Sequence, residues 1–116
     1  MTPGPEDLKI INLARSALAR TSARQGACVR DTDGRSYAGA SVALEHLNLS
    51  AIQTAVAMAI YSGAPGVEAV ALAGEDGPSE TDLALLRELP GTGVVVWSVD
   101  LRGAIRSAIE VSGAVR

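Results

Sequence analysis

Residues 50–63 read Ser-Ala-Ile-Gln-Thr-Ala-Val-Ala-Met-Ala-Ile-Tyr-Ser-Gly, and they predict the helix around which the rest of the chain is organised. Ser50 is a preferred residue at a helix N-cap and Gly63 is a preferred residue after a helix end, so one helix is predicted between them. Between those ends only the Gln-Thr pair is clearly polar. A helix that is apolar nearly all round is buried on more than one side. We therefore expect a sheet on one face and another element, such as a second subunit, on the other.

The segments before this helix predict a first helix and a β-hairpin. Pro5, followed by two acidic residues, suits a first helical turn, and apolar residues then recur at a spacing typical of a helix. Asp33-Gly34 is a strong hairpin-turn dipeptide between two short apolar segments. We predict a helix over residues 5–20, strands over residues 26–31 and 35–44, and a loop over residues 45–49.

The segments after the central helix predict three strands and a third helix. Residues 67–73 form an apolar run interrupted by a single Glu, which indicates a central strand. A capping Ser begins a helix over residues 79–89, and a second buried strand is predicted over residues 93–99. Residues 104–111 alternate apolar and polar side chains, which favours an edge strand and leaves a short helix as the alternative.

The predicted order of elements is α-β-β-α-β-α-β-β. This order indicates an α/β fold, a three-layer α/β/α sandwich with one mixed sheet of about five strands. A chain of 116 residues fits one such domain, so residues 1–116 are expected to form a single domain.

The composition excludes several classes of protein. Hydrophobic residues make up 47% and charged residues 20% of the chain, as in a folded globule and unlike a disordered segment. The formal net charge of −3 argues against strong nucleic-acid binding through phosphate neutralisation. No apolar run approaches the ~20 residues that span a bilayer, and the first residues do not resemble a signal peptide. We expect a cytoplasmic protein that does not associate with a membrane.

The hydrophobic side chains are small. Phe is absent and aromatic residues make up 3% of the chain, so the core must consist mainly of Ala, Val, Leu and Ile. Each small side chain buries little apolar area and so contributes little stability, since burial stabilises by ~25 cal/mol per Å². Burial of further surface between subunits would stabilise such a chain, which favours a homo-oligomer, either a dimer or a tetramer.

Four short motifs occur in a recognisable order. Residues 50–55 (Ser-Ala-Ile-Gln-Thr-Ala) begin the central helix, and residues 78–82 (Pro-Ser-Glu-Thr-Asp) begin the third helix. Upstream stand Gly26-Ala27 and the hairpin turn followed by Tyr37-x-Gly39. This order and spacing resemble the cytidine deaminase family, whose first motif reads Cys-Ala-Glu-Arg-Thr-Ala and whose second reads Pro-Cys-x-x-Cys. The resemblance extends from the first helix to the last strand.

The chain departs from that family where the chemistry takes place. In the family, one thiolate of the first motif and two of the second bind Zn²⁺, and a Glu transfers protons for the zinc-activated water. The resemblance places Ser50 at the first ligand, Ile52 at the Glu, and Ser79 and Asp82 at the other two ligands. A neutral hydroxyl is a poor zinc ligand and one carboxylate does not hold the ion alone. The resemblance therefore implies no catalytic residue, no metal and no cofactor at these positions.

The substrate contacts of the family are absent as well. Its Asn-x-Glu motif, which binds ribose, is represented by Ser41 and Ala43, and its Phe that packs on the base falls near Ala23. We regard these three positions as a vestigial substrate pocket.

The predicted function is that of a catalytically inactive, zinc-free protein with the cytidine deaminase fold. It would act as a binding or assembly module, with a small nucleoside-like ligand or a protein as its partner. The resemblance also implies a homo-oligomer in which each site is built with help from a neighbouring subunit. The alternative is a nucleoside or related deaminase with a rebuilt, non-standard site.

Three further groups of residues each have two interpretations. Glu45 and His46 precede the central helix, where they could join Asp82 in a rebuilt metal or acid/base cluster, or simply lie in a solvated loop. Cys28, the single cysteine, could be a nucleophile or a small buried hydrophobe. An acidic patch at the start of the third helix could bind a divalent cation or form a solvated face: Glu75, Asp76 and Glu80.

Overall fold

The computed structural model describes residues 2–91 and 93–112, and these residues form three helices and seven strands. In chain order the elements are α1 (Pro5–Thr21), β1 (Gln25–Asp31), β2 (Ser36–Ala40), β3 (Val42–Ala43), β4 (Asn48–Leu49), α2 (Ala51–Tyr61), β5 (Val67–Gly74), α3 (Glu80–Arg87), β6 (Val94–Val99) and β7 (Ile105–Val111).

Five strands form one mixed sheet in the order β2-β1-β5-β6-β7. Strands β5 and β6 are parallel, and the other three neighbouring pairs are antiparallel. The helix α3 connects the two parallel strands, as a crossover connection requires. The predicted α/β fold with a mixed sheet of about five strands is confirmed.

Helices cover both faces of this sheet. Helix α1 packs on one face, where its apolar stripe and the small residues of β5 surround Trp97. Helices α2 and α3 pack on the other face against alternate residues of the same strands. The buried residues of α2 are Ala51, Ile52, Ala55, Val56 and Ala59. Among the described helices, none combines the length and the apolar character that a membrane-spanning helix needs.

The close packing of α2 on the sheet depends on a glycine. A Cβ atom at Gly39 would lie 2.8 Å from Cγ2 of Thr54 and 2.9 Å from the backbone nitrogen of Ala55. Such distances are shorter than van der Waals contact, so a side chain at this position would push α2 away from β2. The glycine of the Tyr37-x-Gly39 motif therefore has a packing role: it sets how closely α2 approaches β2.

The second strand of the hairpin is shorter than predicted. Residues 35–44 do not form one strand, because β2 ends at Ala40 and the chain leaves the sheet at Ser41. There the backbone N–H of Ser41 donates to the carbonyl oxygen of Gln25 at 3.0 Å, and the backbone N–H of Gln25 donates to Ser41 Oγ at 3.1 Å. The side chain thus competes with the ladder and ends the strand.

The predicted loop over residues 45–49 is also partly wrong. Asn48 and Leu49 form β4, which pairs antiparallel with β3 in a separate two-stranded sheet. This small hairpin precedes α2 directly. Residues 105–111 form the edge strand β7, so the short-helix alternative for this segment is wrong.

Helix α2 keeps an exposed apolar arc on the side away from the sheet. The side chains of Met58, Ile60 and Tyr61 are exposed by 44%, 57% and 93%. Ala59, in contrast, is 1% exposed and belongs to the core beneath the helix. The sheet covers one side of this helix, as expected, and the expected second element on its other side stays a prediction.

Candidate functional site

An open cleft of about 690 Å³ lies where α2 and α3 begin. Its walls come from the end of α1, the start of β1, the β3–β4 hairpin and the loop after β5. Six of the seven positions that the family resemblance assigns to the site line this cleft: Ala23, Ser41, Ala43, Ser50, Ser79 and Asp82. The chain therefore brings these distant positions together, while their functional roles stay predictions.

Each of the two helices begins with its own capping box. In α2, Ser50 Oγ accepts a hydrogen bond from the backbone N–H of Gln53 at 3.0 Å, and Gln53 Oε1 accepts from the backbone N–H of Ser50 at 2.9 Å. In α3, Ser79 Oγ accepts from the backbone N–H of Asp82 at 3.0 Å, and Asp82 Oδ2 accepts from the backbone N–H of Ser79 at 3.1 Å. Both helix starts are satisfied by local side chains.

A direct hydrogen bond joins the two boxes. The hydroxyl of Ser50 donates to Asp82 Oδ1 at a distance of 2.5 Å. Asp82 is 2% exposed, so its carboxylate is enclosed at the floor of the cleft. The positive ends of the α2 and α3 dipoles and the two hydrogen-bond donors stabilise this buried charge.

This donor set does not fit a zinc ion. Zinc in proteins needs several thiolate, imidazole or carboxylate ligands, and here two hydroxyls stand beside a single carboxylate. Both oxygens of that carboxylate are engaged by Ser50 and Ser79. Across residues 2–91 and 93–112, no group of three or more His, Cys, Asp or Glu side chains is arranged to hold a metal ion.

The position of the family's catalytic Glu lies in the core. Ile52 is 0% exposed and packs with the apolar residues between α2 and the sheet. It is absent from the lining of the cleft. A hydrocarbon side chain has no titratable group with which to transfer a proton, and this one is buried away from the cleft.

The rebuilt cluster around the histidine does not form. The side chains of His46 and Glu45 are 92% and 88% exposed and lie 4.0 Å apart at the turn between β3 and β4. Neither residue lines the cleft that contains Asp82. His46 is the only histidine of the chain, so Ser50 and Asp82 lack the imidazole that a Ser-His-Asp triad requires.

The acidic residues before α3 are solvated. Glu75, Asp76 and Glu80 are all exposed, and one of them is paired: Asp76 Oδ2 lies 2.8 Å from Nη2 of Arg24. Both side chains line the cleft and are largely exposed, so the ion pair lies at the mouth of the cleft. Because two opposite charges neutralise each other there, the cleft entrance carries little net charge.

Two further contacts hold the loop that follows β5. The amide of Gln25 donates to the carbonyl oxygen of Asp76 at 3.3 Å. The guanidinium of Arg106, on β7, donates to the carbonyl oxygens of Gly74, Glu75 and Val99. Sequence reasoning missed Arg24, Gln25 and Arg106, because their partners are far away in the chain and no local pattern indicates them.

Cys28 lies in the core on the α1 side of the sheet, and the hydrophobe interpretation is confirmed. It is 0% exposed, and burial raises the pKa of its thiol to about 11. A thiol with so high a pKa carries almost no thiolate near neutral pH, which is the form that attacks as a nucleophile.

Comparisons with known proteins agree with this geometry. The model of the family described as cytidine deaminase-like matches residues 3–103 of the chain. The chain belongs to the cytidine deaminase-like family. A comparison with curated protein sequences finds no match.

Solved structures of cytidine deaminases share the fold of this chain. The structure from Burkholderia pseudomallei superposes with a TM-score of 0.77 at 24% identity, over 95% of this chain and 93% of that one. The structure from Mycobacterium leprae gives 0.71 at 18% identity, over 88% and 90% of the two chains. The structure from Mycobacterium tuberculosis gives 0.67 at 22% identity, over 77% and 81%. At these identities, the similarity shows a common fold.

Proposed function

We propose that this chain is a zinc-free and catalytically inactive member of the cytidine deaminase-like family, whose cleft serves as a binding or assembly module. The observation that carries this proposal is the hydrogen bond between Ser50 and Asp82. Two of the three positions that the family resemblance assigns to metal ligands are bonded to each other, and the third, Ser79, is bonded to Asp82.

Deamination of a nucleobase by this family's chemistry has two requirements. One is a metal ion that activates water, and the other is a carboxylate that transfers protons between the water and the base. The donor set at the helix starts does not meet the first requirement. The buried Ile52 does not meet the second. Loss of both supports an inactive protein more strongly than either loss alone.

The cleft lining supports a small, uncharged, polar ligand. Asp82 is enclosed, and Arg24 and Asp76 neutralise each other at the mouth. The other polar residues of the lining carry hydroxyl or amide groups without net charge: Thr21, Ser22, Gln25, Ser41, Asn48, Ser50 and Ser79. A nucleoside-like molecule has this chemistry, since its hydroxyls and base edges both donate and accept hydrogen bonds.

The exposed arc of α2 supports self-assembly. Three large apolar side chains on the exposed half of α2, Met58, Ile60 and Tyr61, favour burial against a second copy of the chain. We propose a homo-oligomer, a dimer or a tetramer, with this arc at the contact. A cytoplasmic location is part of the same proposal, and the buried free thiol of Cys28 is compatible with a reducing compartment.

Zinc content and activity, measured on the same preparation, test the proposal. We expect elemental analysis to find far less than one zinc per chain, and we expect no release of ammonia from cytidine or deoxycytidine. The cytidine deaminase from Burkholderia pseudomallei, purified and assayed in parallel, controls for metal loss during handling. One zinc per chain that is lost in Asp82→Asn, or turnover above the blank that this variant abolishes, would contradict the proposal and favour a rebuilt deaminase.

Ligand binding is tested separately from catalysis. We expect cytidine and uridine to shift the backbone NMR signals of residues in the cleft, such as Ser41 and Asn48, without being converted. The signals of Gly63 and Gly93, outside the cleft lining, serve as an internal control. If no nucleoside at millimolar concentration shifts the cleft signals, the binding part of the proposal fails and the assembly part remains.

A further inference from the structure

The hydrogen bond between Ser50 and Asp82 uses groups that the two capping boxes leave over. Within α2, Ser50 Oγ acts only as an acceptor, so its own hydroxyl proton is available. Within α3, the carboxylate of Asp82 uses Oδ2 for the backbone N–H of Ser79, so Oδ1 is available. The spare proton and the spare oxygen meet at 2.5 Å, and the network is closed.

A single carboxylate, at the third position of α3, makes both contacts. Asp82 bonds the backbone of Ser79 on its own helix and the side chain of Ser50, which is 32 positions away in the chain. A hydroxyl that bonds an enclosed carboxylate forms a short, charge-assisted hydrogen bond, stronger than a bond between neutral groups. Both helix N-termini direct their positive ends toward the same negative charge.

We propose that the Ser50–Asp82 hydrogen bond is a metal-independent cross-link, which fixes the starts of α2 and α3 to each other and thereby shapes the floor of the cleft. The inference rests on the proposed function in one respect, that no zinc ion occupies this place. It goes beyond that function in one respect: one carboxylate and one hydroxyl join the two helix starts. Asp82 is then the residue on which the metal-free cleft depends.

A double-mutant cycle tests the cross-link. Ser50→Ala removes the cap of α2 and the cross-link in the native chain, but it removes only the cap in a chain that already carries Asp82→Ala. We therefore expect Ser50→Ala to raise the equilibrium constant for unfolding by a factor about tenfold larger in the native background than in the Asp82→Ala background. Urea unfolding followed by circular dichroism gives the four constants.

A matched control uses the neighbouring acid. Glu80 is also in the first turn of α3, but it is exposed and makes no hydrogen bond to Ser50 among the contacts of the described chain. We expect Ser50→Ala to raise the unfolding constant by the same factor, within about twofold, with and without Glu80→Ala. If Ser50 and Glu80 show no coupling, the coupling between Ser50 and Asp82 is not a general effect of negative charge near α3.

The outcomes separate the cross-link from the proposed function. Suppose that Ser50→Ala raises the unfolding constant of zinc-free protein by the same factor with and without Asp82→Ala. That result would contradict the cross-link and leave the proposed function standing. If the native protein holds one zinc per chain, the proposed function fails first. If the Asp82→Ala chain does not fold, Asp82→Asn supplies the second background, because Asn keeps the volume and one carbonyl oxygen, and equal factors there overturn the cross-link in the same way.

Discussion

The carbonyl oxygen of Ala14 on α1 lies against the α-carbon of Gly26 on β1, so closely that a Cβ atom at position 26 would be 2.2 Å from that oxygen. The same Cβ atom would be 2.7 Å from the backbone nitrogen of Leu18. Both neighbours are main-chain atoms of a helix, which cannot rotate away as the end of a flexible side chain can. The distance between α1 and the sheet is therefore set by the absence of a side chain at Gly26.

Gly26→Ala is expected to destabilise the protein by about 2 kcal/mol or more, because α1 must move outward and loosen its core contacts. The free energy of unfolding in urea measures the effect. Gly77→Ala is the matched control, since a Cβ atom there would meet only Ser98 Oγ at an ordinary 3.8 Å. Equal free energies for the two variants would show that α1 adapts without loss, contrary to the prediction.

The parts of the fold that local signals specify were predictable from the sequence. Ser50 caps α2 as expected, and the hairpin turn at Asp33-Gly34 forms where its dipeptide indicates. There Asp31 Oδ1 accepts hydrogen bonds from the backbone N–H groups of Asp33 and Arg35, at 2.9 Å each. Caps and tight turns are decided within a few residues, so a single sequence contains their cause.

Long-range partners were not predictable in the same way. No local signal distinguishes Ser41 from a residue inside a strand, because its strand-ending contacts are with the distant Gln25. The predicted strand over residues 35–44 is therefore too long. The resemblance placed Ser50 and Asp82 near a common centre, but it did not reveal that they bond each other. A bond between residues so far apart in sequence depends on the packing of both helices on the sheet.

The buried thiol gives a prediction for alkaline pH. Burial raises the pKa of Cys28 to about 11, above its ordinary value of 9.0, so the folded state holds the proton more tightly than the unfolded state. This contribution to stability is complete below pH 9 and is lost as the pH rises through 11. The free energy of unfolding, relative to that of Cys28→Ala, is expected to fall by up to about 3 kcal/mol across this window.

The reactivity of the same thiol provides an independent measurement. We expect a thiol reagent at pH 8 to modify the native protein slowly and the urea-unfolded protein rapidly, with one equivalent taken up per chain. Cys28→Ala should take up none in either state. Rapid modification of the native protein would mean that Cys28 is accessible, against both its burial and its raised pKa.

Three cysteines at the helix starts are expected to create a zinc site. The variant with Ser50→Cys, Ser79→Cys and Asp82→Cys places three thiolates around one point and leaves a fourth position open for water. Ile52 is kept, because Ile52→Glu would bury a carboxylate in the apolar core. We expect one zinc per chain by elemental analysis and a higher unfolding midpoint with zinc than after chelation.

The two-thiol variant, with Ser50→Cys and Asp82→Cys only, controls for adventitious binding. It should hold zinc much more weakly, because two thiolates leave the coordination incomplete. If the folded three-thiol variant binds no zinc, the side chains at the two helix starts do not converge as the Ser50–Asp82 distance indicates.

The exposed arc of α2 gives the last prediction, which concerns assembly. Ala59 is unsuitable for a test, although it lies on this helix, because it is buried inside the subunit and a charge there would unfold the chain. Ile60 is 57% exposed, so Ile60→Glu places a charge on the arc without entering the core. We expect the native chain to scatter light as a dimer or tetramer at micromolar concentration, and the Ile60→Glu chain to scatter as a monomer with an unchanged circular dichroism spectrum. Leu13→Glu, at a 38% exposed position on α1, should leave the oligomer intact, because α1 covers the opposite face of the sheet. A native chain that is monomeric under these conditions would contradict the proposal.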